Sequence, residues 1–73
     1  MEERSIGKEI ARARHRKRWT QEELARVLGV SRPTVADWET GKHFPLRNLG
    51  AIEEALDISL DGYEPEAASD VAS

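Results

Sequence analysis

Two short segments with helix-capping residues, joined by a turn that contains glycine, constrain the fold more than any other feature of this sequence. Thr20-Gln21-Glu22-Glu23 has the pattern of a capping box, in which the threonine hydroxyl and the last glutamate satisfy the first amides of a helix. Gly29 follows the apolar residues Leu24 and Leu28 and can adopt the left-handed conformation that ends a helix. The pattern predicts a helix over residues 20–28.

The second segment repeats this pattern directly after the turn. Ser31 is suited to cap a helix, Pro33 falls in the first turn where its missing amide is harmless, and Gly41 marks the end. Val35 and Trp38 lie on one face of this helix, which we expect to be buried. Two helices joined by so short a turn cross at a steep angle, so the opposite face of the second helix is presented outward.

The spacing of apolar residues predicts further helices on both sides of this unit. A first helix begins near Ser5 and ends near Lys17 or Arg18, with Ile6, Ile10 and Ala13 along one face. A fourth helix begins at Pro45, where a proline is well tolerated, and its apolar face consists of Leu49, Ile52 and Leu56. Gly50 inside that helix indicates either close packing or a weak point.

The predicted fold class is all-α, a compact bundle of four to five short helices. Ile58 and Leu60 can add the fifth turn and close the core. We predict one domain over residues 1–63, since a chain of 73 residues holds at most one. Residues 64–73 are small, acidic and poor in apolar side chains, so we expect a disordered tail or linker there.

A net charge of −3 conceals an uneven distribution. Residues 1–18 contain seven Lys and Arg against three Glu, whereas residues 50–73 contain seven acidic residues and no Lys or Arg. A partner responds to the local patch rather than to the total charge. The basic region is therefore either a solvated helix face or a surface for an acidic partner such as nucleic acid.

The residue content also argues against several kinds of site. The chain has no cysteine and only two histidines, His15 and His43, which excludes disulfides and leaves too few ligands for an ordinary zinc site. The sequence offers no nucleophile–base pair and no phosphate-binding loop, so we predict no enzyme activity, cofactor or small-molecule substrate. No apolar run approaches the roughly 18 residues of a membrane span, and no apolar signal segment follows Met1, so we expect a cytoplasmic protein.

The same residues resemble a known family, the Cro/repressor-type (Xre-type) helix-turn-helix proteins of bacteria and phages. The resemblance rests on these positions: Thr20-Gln21-Glu22-Glu23-Leu24-Ala25, Leu28-Gly29-Val30-Ser31, Val35, Trp38-Glu39, Gly41-Lys42 and Pro45. It covers about residues 6–60 and implies a lambda-repressor-like bundle that binds double-stranded DNA. Residues 20–28 would position the domain, and residues 32–40 would enter the major groove. The resemblance also implies a buried ion pair between Arg14 and Glu39.

The resemblance implies two groups of DNA contacts. The first group would reach bases or adjacent phosphates from the recognition helix: Ser31, Arg32, Pro33, Thr34 and Asp37. The second group would contact the phosphate backbone: Gln21, Lys42 and Arg47. Arg18 and His43 are further phosphate candidates, although His43 can equally be an exposed loop residue, and a cation at Arg18 also suits the end of the first helix.

The chemistry of the recognition helix narrows what each side chain can do. The Arg32 guanidinium can form a fork to guanine O6 and N7, worth about 1–3 kcal/mol of discrimination, or can contact a phosphate instead. Pro33 departs from the polar residue common in the family and can touch only a thymine methyl group. Asp37, which phosphates repel, would accept a hydrogen bond from a cytosine amino group or orient Arg32.

We therefore predict a sequence-specific transcriptional regulator, such as a phage Cro-like protein or a repressor, in a bacterial nucleoid or the cytoplasm of a phage-infected host. Dimers of such domains bind half-sites about one helical turn apart, which predicts a palindromic operator. Leu60 and Tyr63 are the apolar candidates for a weak homodimer contact. The alternative is an antitoxin, which would bind a toxin protein through the acidic C-terminal third and regulate its own operon.

Overall fold

The computed structural model describes residues 5–63, and all regular secondary structure in that range is helical. Four α-helices and one 3₁₀ turn follow each other along the chain: α1 (Ile6–Arg16), α2 (Gln21–Leu28), α3 (Arg32–Thr40), the 3₁₀ turn (Leu46–Asn48) and α4 (Leu49–Leu56). The predicted all-α fold is confirmed. The predicted tail at residues 64–73 lies outside the described residues.

Side-chain caps begin the first three helices where the sequence predicts them. The Thr20 hydroxyl accepts from the Glu23 amide at 3.0 Å, and the Glu23 carboxylate accepts from the Thr20 amide at 2.7 Å, so the capping box is complete. Ser5 caps α1 by accepting from the amide of Lys8, and Ser31 caps α3. These caps fix where α2 and α3 begin, and hence the length of the turn between them.

Gly29 sets the direction of the chain between α2 and α3. Its φ of 74° places it in the left-handed region, where a side chain would be strained. The amide of the next residue, Val30, donates to the Ala25 carbonyl at 2.9 Å and closes the end of α2. The predicted left-handed glycine at the end of α2 is therefore confirmed.

One hydrophobic core lies between the four helices and the segment that follows α4. Its buried members are Ile10, Ala13, Leu24, Ala25, Val35, Trp38, Ile52, Leu56 and Leu60. Val35 and Trp38 are 0% and 3% exposed, which confirms that this face of α3 points inward. Because α3 packs against both α1 and α2, its inner face is held on two sides and its outer face is left open.

The C-terminal part differs from the prediction in two respects. Pro45 does not begin α4 directly: Pro45 is itself buried, and the 3₁₀ turn comes between them. A fifth helical turn at Ile58 and Leu60 is absent from the described residues. The physical reason is that the Glu53 carboxylate accepts from the Leu60 amide at 2.7 Å, which holds an irregular segment across the core.

The same segment corrects the predicted dimer contact. Leu60 is 3% exposed and belongs to the core, so its side chain cannot also meet a second copy of the folded chain. Tyr63 is partly buried and packs against that core. Among residues 5–63, the exposed large apolar side chains are Val27 at 54% and Leu46 at 62%, and the sequence pattern does not single out either of them.

Candidate nucleic-acid interface

The outer face of α3 begins with the residues that the sequence analysis assigned to base contacts. Ser31, Arg32 and Pro33 are exposed, whereas Thr34 and Asp37 are half-buried. The hydroxyls of Ser31 and Thr34 are 2.9 Å apart, so they form one small polar group at the start of the helix. The exposed side chains of Ser31 and Arg32 supply hydrogen-bond donors and acceptors at the start of α3, where a recognition helix contacts base edges.

The ion pair between Arg14 of α1 and Glu39 of α3 is present and buried, as predicted. Arg14 Nε and Nη2 donate to the two Glu39 carboxylate oxygens at 2.7 and 3.0 Å. Arg14 Nη1 donates to the Trp19 carbonyl at 2.7 Å. The two side chains are 9% and 7% exposed, so this bidentate pair ties the end of α3 to α1 from inside the domain.

Gln21 connects this ion pair to Arg32 through two side-chain hydrogen bonds that the sequence does not indicate. Its Nε2 donates to Glu39 Oε1 at 3.0 Å, and its Oε1 accepts from Arg32 Nη1 at 3.1 Å. The family resemblance implies a phosphate contact for Gln21 and a base or phosphate contact for Arg32; a contact between these two side chains is not predicted. Gln21 lies 18 positions from Glu39 and 11 positions from Arg32 along the chain, so helical spacing does not indicate either contact.

Asp37 forms its polar side-chain contact with His43 and not with the arginine. His43 Nδ1 lies 3.2 Å from Asp37 Oδ2, while Arg32 is bonded to Gln21. The hypothesis that Asp37 orients Arg32 is therefore wrong. The backbone carbonyl of Asp37 accepts from the amides of Lys42 and His43, which folds the loop after α3 back. The Asp37 carboxylate consequently faces this loop. His43 itself is exposed in that loop, with its side chain 69% accessible.

The remaining phosphate candidates lie in the segments between the α-helices. Lys42 is exposed directly after α3, and Arg47 is exposed in the 3₁₀ turn. Arg18 is exposed between α1 and α2, where its φ of 61° is unusual for a residue with a side chain. Beside it, the Lys17 ammonium lies 5.6 Å from the centre of the Trp19 ring, within the range of a cation–π contact. The DNA contacts of Lys42, Arg47 and Arg18 stay predictions.

A second surface feature is formed by residues of α2 and α4. A shallow cleft of about 260 Å³ runs between α2 and α4, lined by Val27, Leu28, Ala51, Glu54 and Ala55. None of these lining residues belongs to α3 or to the turns on either side of it.

Two other kinds of feature are absent from the described residues. Within residues 5–63, no helix is long and apolar enough to cross a membrane. In the same part of the chain, His, Asp and Glu form no group of three or more that could hold a metal ion.

Comparison with known proteins finds a family and several relatives that are similar to this chain in sequence. The family described as helix-turn-helix matches residues 10–63. "Endothelial differentiation-related factor 1" of Rattus norvegicus is 38% identical over 60 residues, which are 81% of this chain and 40% of that protein. "Multiprotein-bridging factor 1" of Candida albicans is 39% identical over 59 residues, 80% of this chain and 39% of that protein. The chain thus spans about two fifths of the length of these curated relatives.

Proposed function

The chain belongs to the Xre-type helix-turn-helix family, whose members bind DNA in transcription regulation, and we propose that it is a sequence-specific regulator. In this proposal α3 lies in the major groove and the exposed residues of its first turn contact base edges. From the motif resemblance we further propose that this regulator is a Cro-like protein or a repressor that acts in a bacterial nucleoid or a phage-infected host.

The observation that carries this proposal is the two-sided character of α3. Val35 and Trp38 are buried against the other helices, while Arg32 and Pro33 are exposed in the first turn of the same helix. Capping by Ser31 fixes where that exposed turn begins. A helix held in this way presents a rigid set of side chains, which is what recognition of base edges in the major groove requires.

Arg32 is the side chain best suited to base recognition. It is the long cationic donor in the first turn of α3, and its bond to Gln21 uses one of its five N–H groups. The remaining donors can form a fork to guanine O6 and N7. Pro33 and Thr34 would add apolar contact, such as with a thymine methyl group.

Most of the affinity would come from the phosphate backbone, because few side chains on α3 can bind bases. Lys42 and Arg47 are exposed cations in the loop after α3 and in the 3₁₀ turn, and we assign both to phosphates. Gln21, His43 and Arg18 are the further candidates. Neutralising phosphates in this way releases counterions, so binding would weaken steeply as salt rises. Because phosphates repel a carboxylate, we assign Asp37 no phosphate contact; its Oδ2 lies 3.2 Å from His43 Nδ1 instead.

A binding selection from random duplex DNA with the full 73-residue chain tests the proposal. We expect enrichment of one sequence, arranged as inverted half-sites about 34–36 Å apart if two copies bind together. Sedimentation of the complex on the enriched duplex gives the number of chains bound. Failure to enrich any sequence, at a salt concentration where the chain still binds DNA, would refute sequence-specific recognition.

A further inference from the structure

Three exposed cations form a row along the outer side of α1. Lys8, Arg12 and Arg16 lie four residues apart, so they recur about every 6 Å along the helix, away from the buried Ile10 and Ala13. Among residues 5–63, Arg16 alone of the three has an acidic side chain beside it, at 4.0 Å. This α1 row therefore carries positive charge that the described part of the chain does not balance.

The surface of α4 and of the segment after it has the opposite charge. Residues 49–63 contain no Lys or Arg and four acidic residues: Glu53, Glu54, Asp57 and Asp61. The Glu53 carboxylate accepts from a backbone amide, whereas the other three side chains are exposed. Within the described residues, these three form no ion pair. We call Glu54, Asp57 and Asp61 the acidic surface.

The α1 row and the acidic surface do not pair with each other within one molecule. Ile10 of α1 and Ile52 of α4 are both 0% exposed in the common core, so the two helices turn their buried faces inward and their charged faces outward. None of the ion pairs among residues 5–63 joins α1 to α4 or to the segment after it. The two sets of charges are therefore available to pair between two copies of the chain.

The cleft between α2 and α4 is suited to a long side chain with a cation at its end. Its lining includes the apolar side chains of Val27, Ala51 and Ala55, and Val27 is 54% exposed. Glu54 is the charged member of the lining and also belongs to the acidic surface. An arginine can lay its methylene stem on apolar side chains while its guanidinium reaches a carboxylate.

We propose that copies of this chain associate head to tail, with Arg12 of one copy in the cleft of the next and its guanidinium paired with Glu54. Lys8 and Arg16, one turn away on either side, bring further positive charge to the acidic surface. Because the two surfaces differ, the contact is heterologous, unlike the two-fold pairing that gives inverted half-sites. Neither surface contains a residue that we assign to DNA, so the contact goes beyond the proposed function.

A second copy fits both surfaces, whereas nucleic acid fits one of them. Phosphates would be attracted to the α1 row but repelled by the acidic surface, and they would leave the apolar cleft uncovered. We expect the contact between copies to be weak, since exposed ion pairs contribute little and the area is small. It should also be strongest at low salt, where screening is least.

Sedimentation equilibrium of the full 73-residue chain without DNA tests the contact. We expect self-association at about 0.01 M salt that is lost at about 1 M, as the Debye length falls from about 30 Å to 3 Å. Arg12→Glu and Glu54→Arg should each lower the association constant roughly 5- to 10-fold, because each brings like charges together. The charge-swapped double variant should recover it to within about 2-fold.

Two matched controls separate the contact from an effect of net charge. Arg26→Glu and Glu22→Arg make the same changes of charge at exposed positions of α2 that lie outside both surfaces. Each of the Arg12 and Glu54 variants should associate more weakly than the control with the same net charge. Circular dichroism melts of all variants show whether the fold is kept.

Three results would overturn this inference. Absence of self-association at low salt, or variants that match their controls, would refute the contact between copies. A double variant no stronger than the single variants would mean that Arg12 and Glu54 do not meet. If Arg12→Glu instead weakens binding to a random duplex and lowers its salt slope, the α1 row is a nucleic-acid surface. Because self-association is measured without DNA, its outcome does not depend on the proposed function.

Discussion

Gly7 of α1 lies directly against the backbone of Glu39 at the end of α3. A Cβ atom added to Gly7 would be 2.5 Å from the Glu39 carbonyl oxygen and 2.6 Å from that of Trp38. The two helices therefore approach so closely that a glycine is required at this point of α1. Arg14 lies two helical turns further along the same face of α1, where it meets the Glu39 carboxylate.

Gly7→Ala should destabilise the domain even though alanine favours a helix. Helix propensity alone would give a gain of about 1 kcal/mol. The clash is with backbone oxygens, which cannot move without shifting a helix, so we expect a net loss of about 1–3 kcal/mol. The free energy of unfolding from urea titration measures the change.

Gly50→Ala is the matched control for this substitution. Gly50 lies within α4 and has no neighbouring atom within 4 Å of an added Cβ, so the close packing that the sequence left open is absent there. The same change should therefore raise the free energy of unfolding by roughly 0.5–1 kcal/mol. Similar stabilisation by Gly7→Ala would show that α1 and α3 are not in this close contact.

Glu39→Ala should be among the most destabilising single substitutions in the chain. It leaves the Arg14 guanidinium buried without its partner, at a cost of about 3–5 kcal/mol. The double variant Arg14→Met/Glu39→Leu should recover most of this loss, because no charge is then buried alone. Thermal and urea unfolding measure both variants.

Glu22→Ala provides the comparison for that buried pair. Its carboxylate lies 3.9 Å from Arg26, with both side chains more than 70% exposed, so we expect a change within about 0.5 kcal/mol. A loss in Glu39→Ala as small as this would contradict a buried ion pair at Arg14.

Arg18→Gly separates a backbone effect from a DNA contact at the end of α1. Arg18 has a φ of 61°, and the left-handed conformation costs a residue with a side chain about 1–2 kcal/mol. Glycine should therefore raise the free energy of unfolding by up to about 1 kcal/mol. If Arg18 also contacts a phosphate, Arg18→Gly and Arg18→Ala should lower the salt slope of DNA binding equally. An unchanged slope in both variants would remove Arg18 from the interface.

The parts of the fold that depend on local chemistry could be predicted from the sequence. The capping box at Thr20 and the left-handed Gly29 involve residues a few positions apart, so their pattern is visible in the chain itself. The burial of Trp38 follows from helical spacing in the same way. The pairing of Arg14 with Glu39 came instead from the family resemblance, since nothing local connects the two positions.

The contacts that the sequence did not indicate depend on how the helices cross. Gly7 meets Glu39, and Gln21 meets both Glu39 and Arg32, only because α1, α2 and α3 converge at one end of the core. The Glu53 bond to the Leu60 amide likewise replaces the predicted fifth turn and buries the proposed dimer residue. The base and phosphate contacts themselves stay predictions.

The most direct test of DNA recognition by α3 compares Arg32→Ala with Lys42→Ala. Affinities are measured on the enriched duplex and on a scrambled duplex over a series of salt concentrations. Arg32→Ala should weaken binding to the enriched duplex by about 1–3 kcal/mol and relax the choice of base at one position. Lys42→Ala should weaken binding to both duplexes and lower the salt slope by about one. If both variants bind the enriched duplex as tightly as the unmodified chain, α3 and its following loop do not form the DNA-binding face.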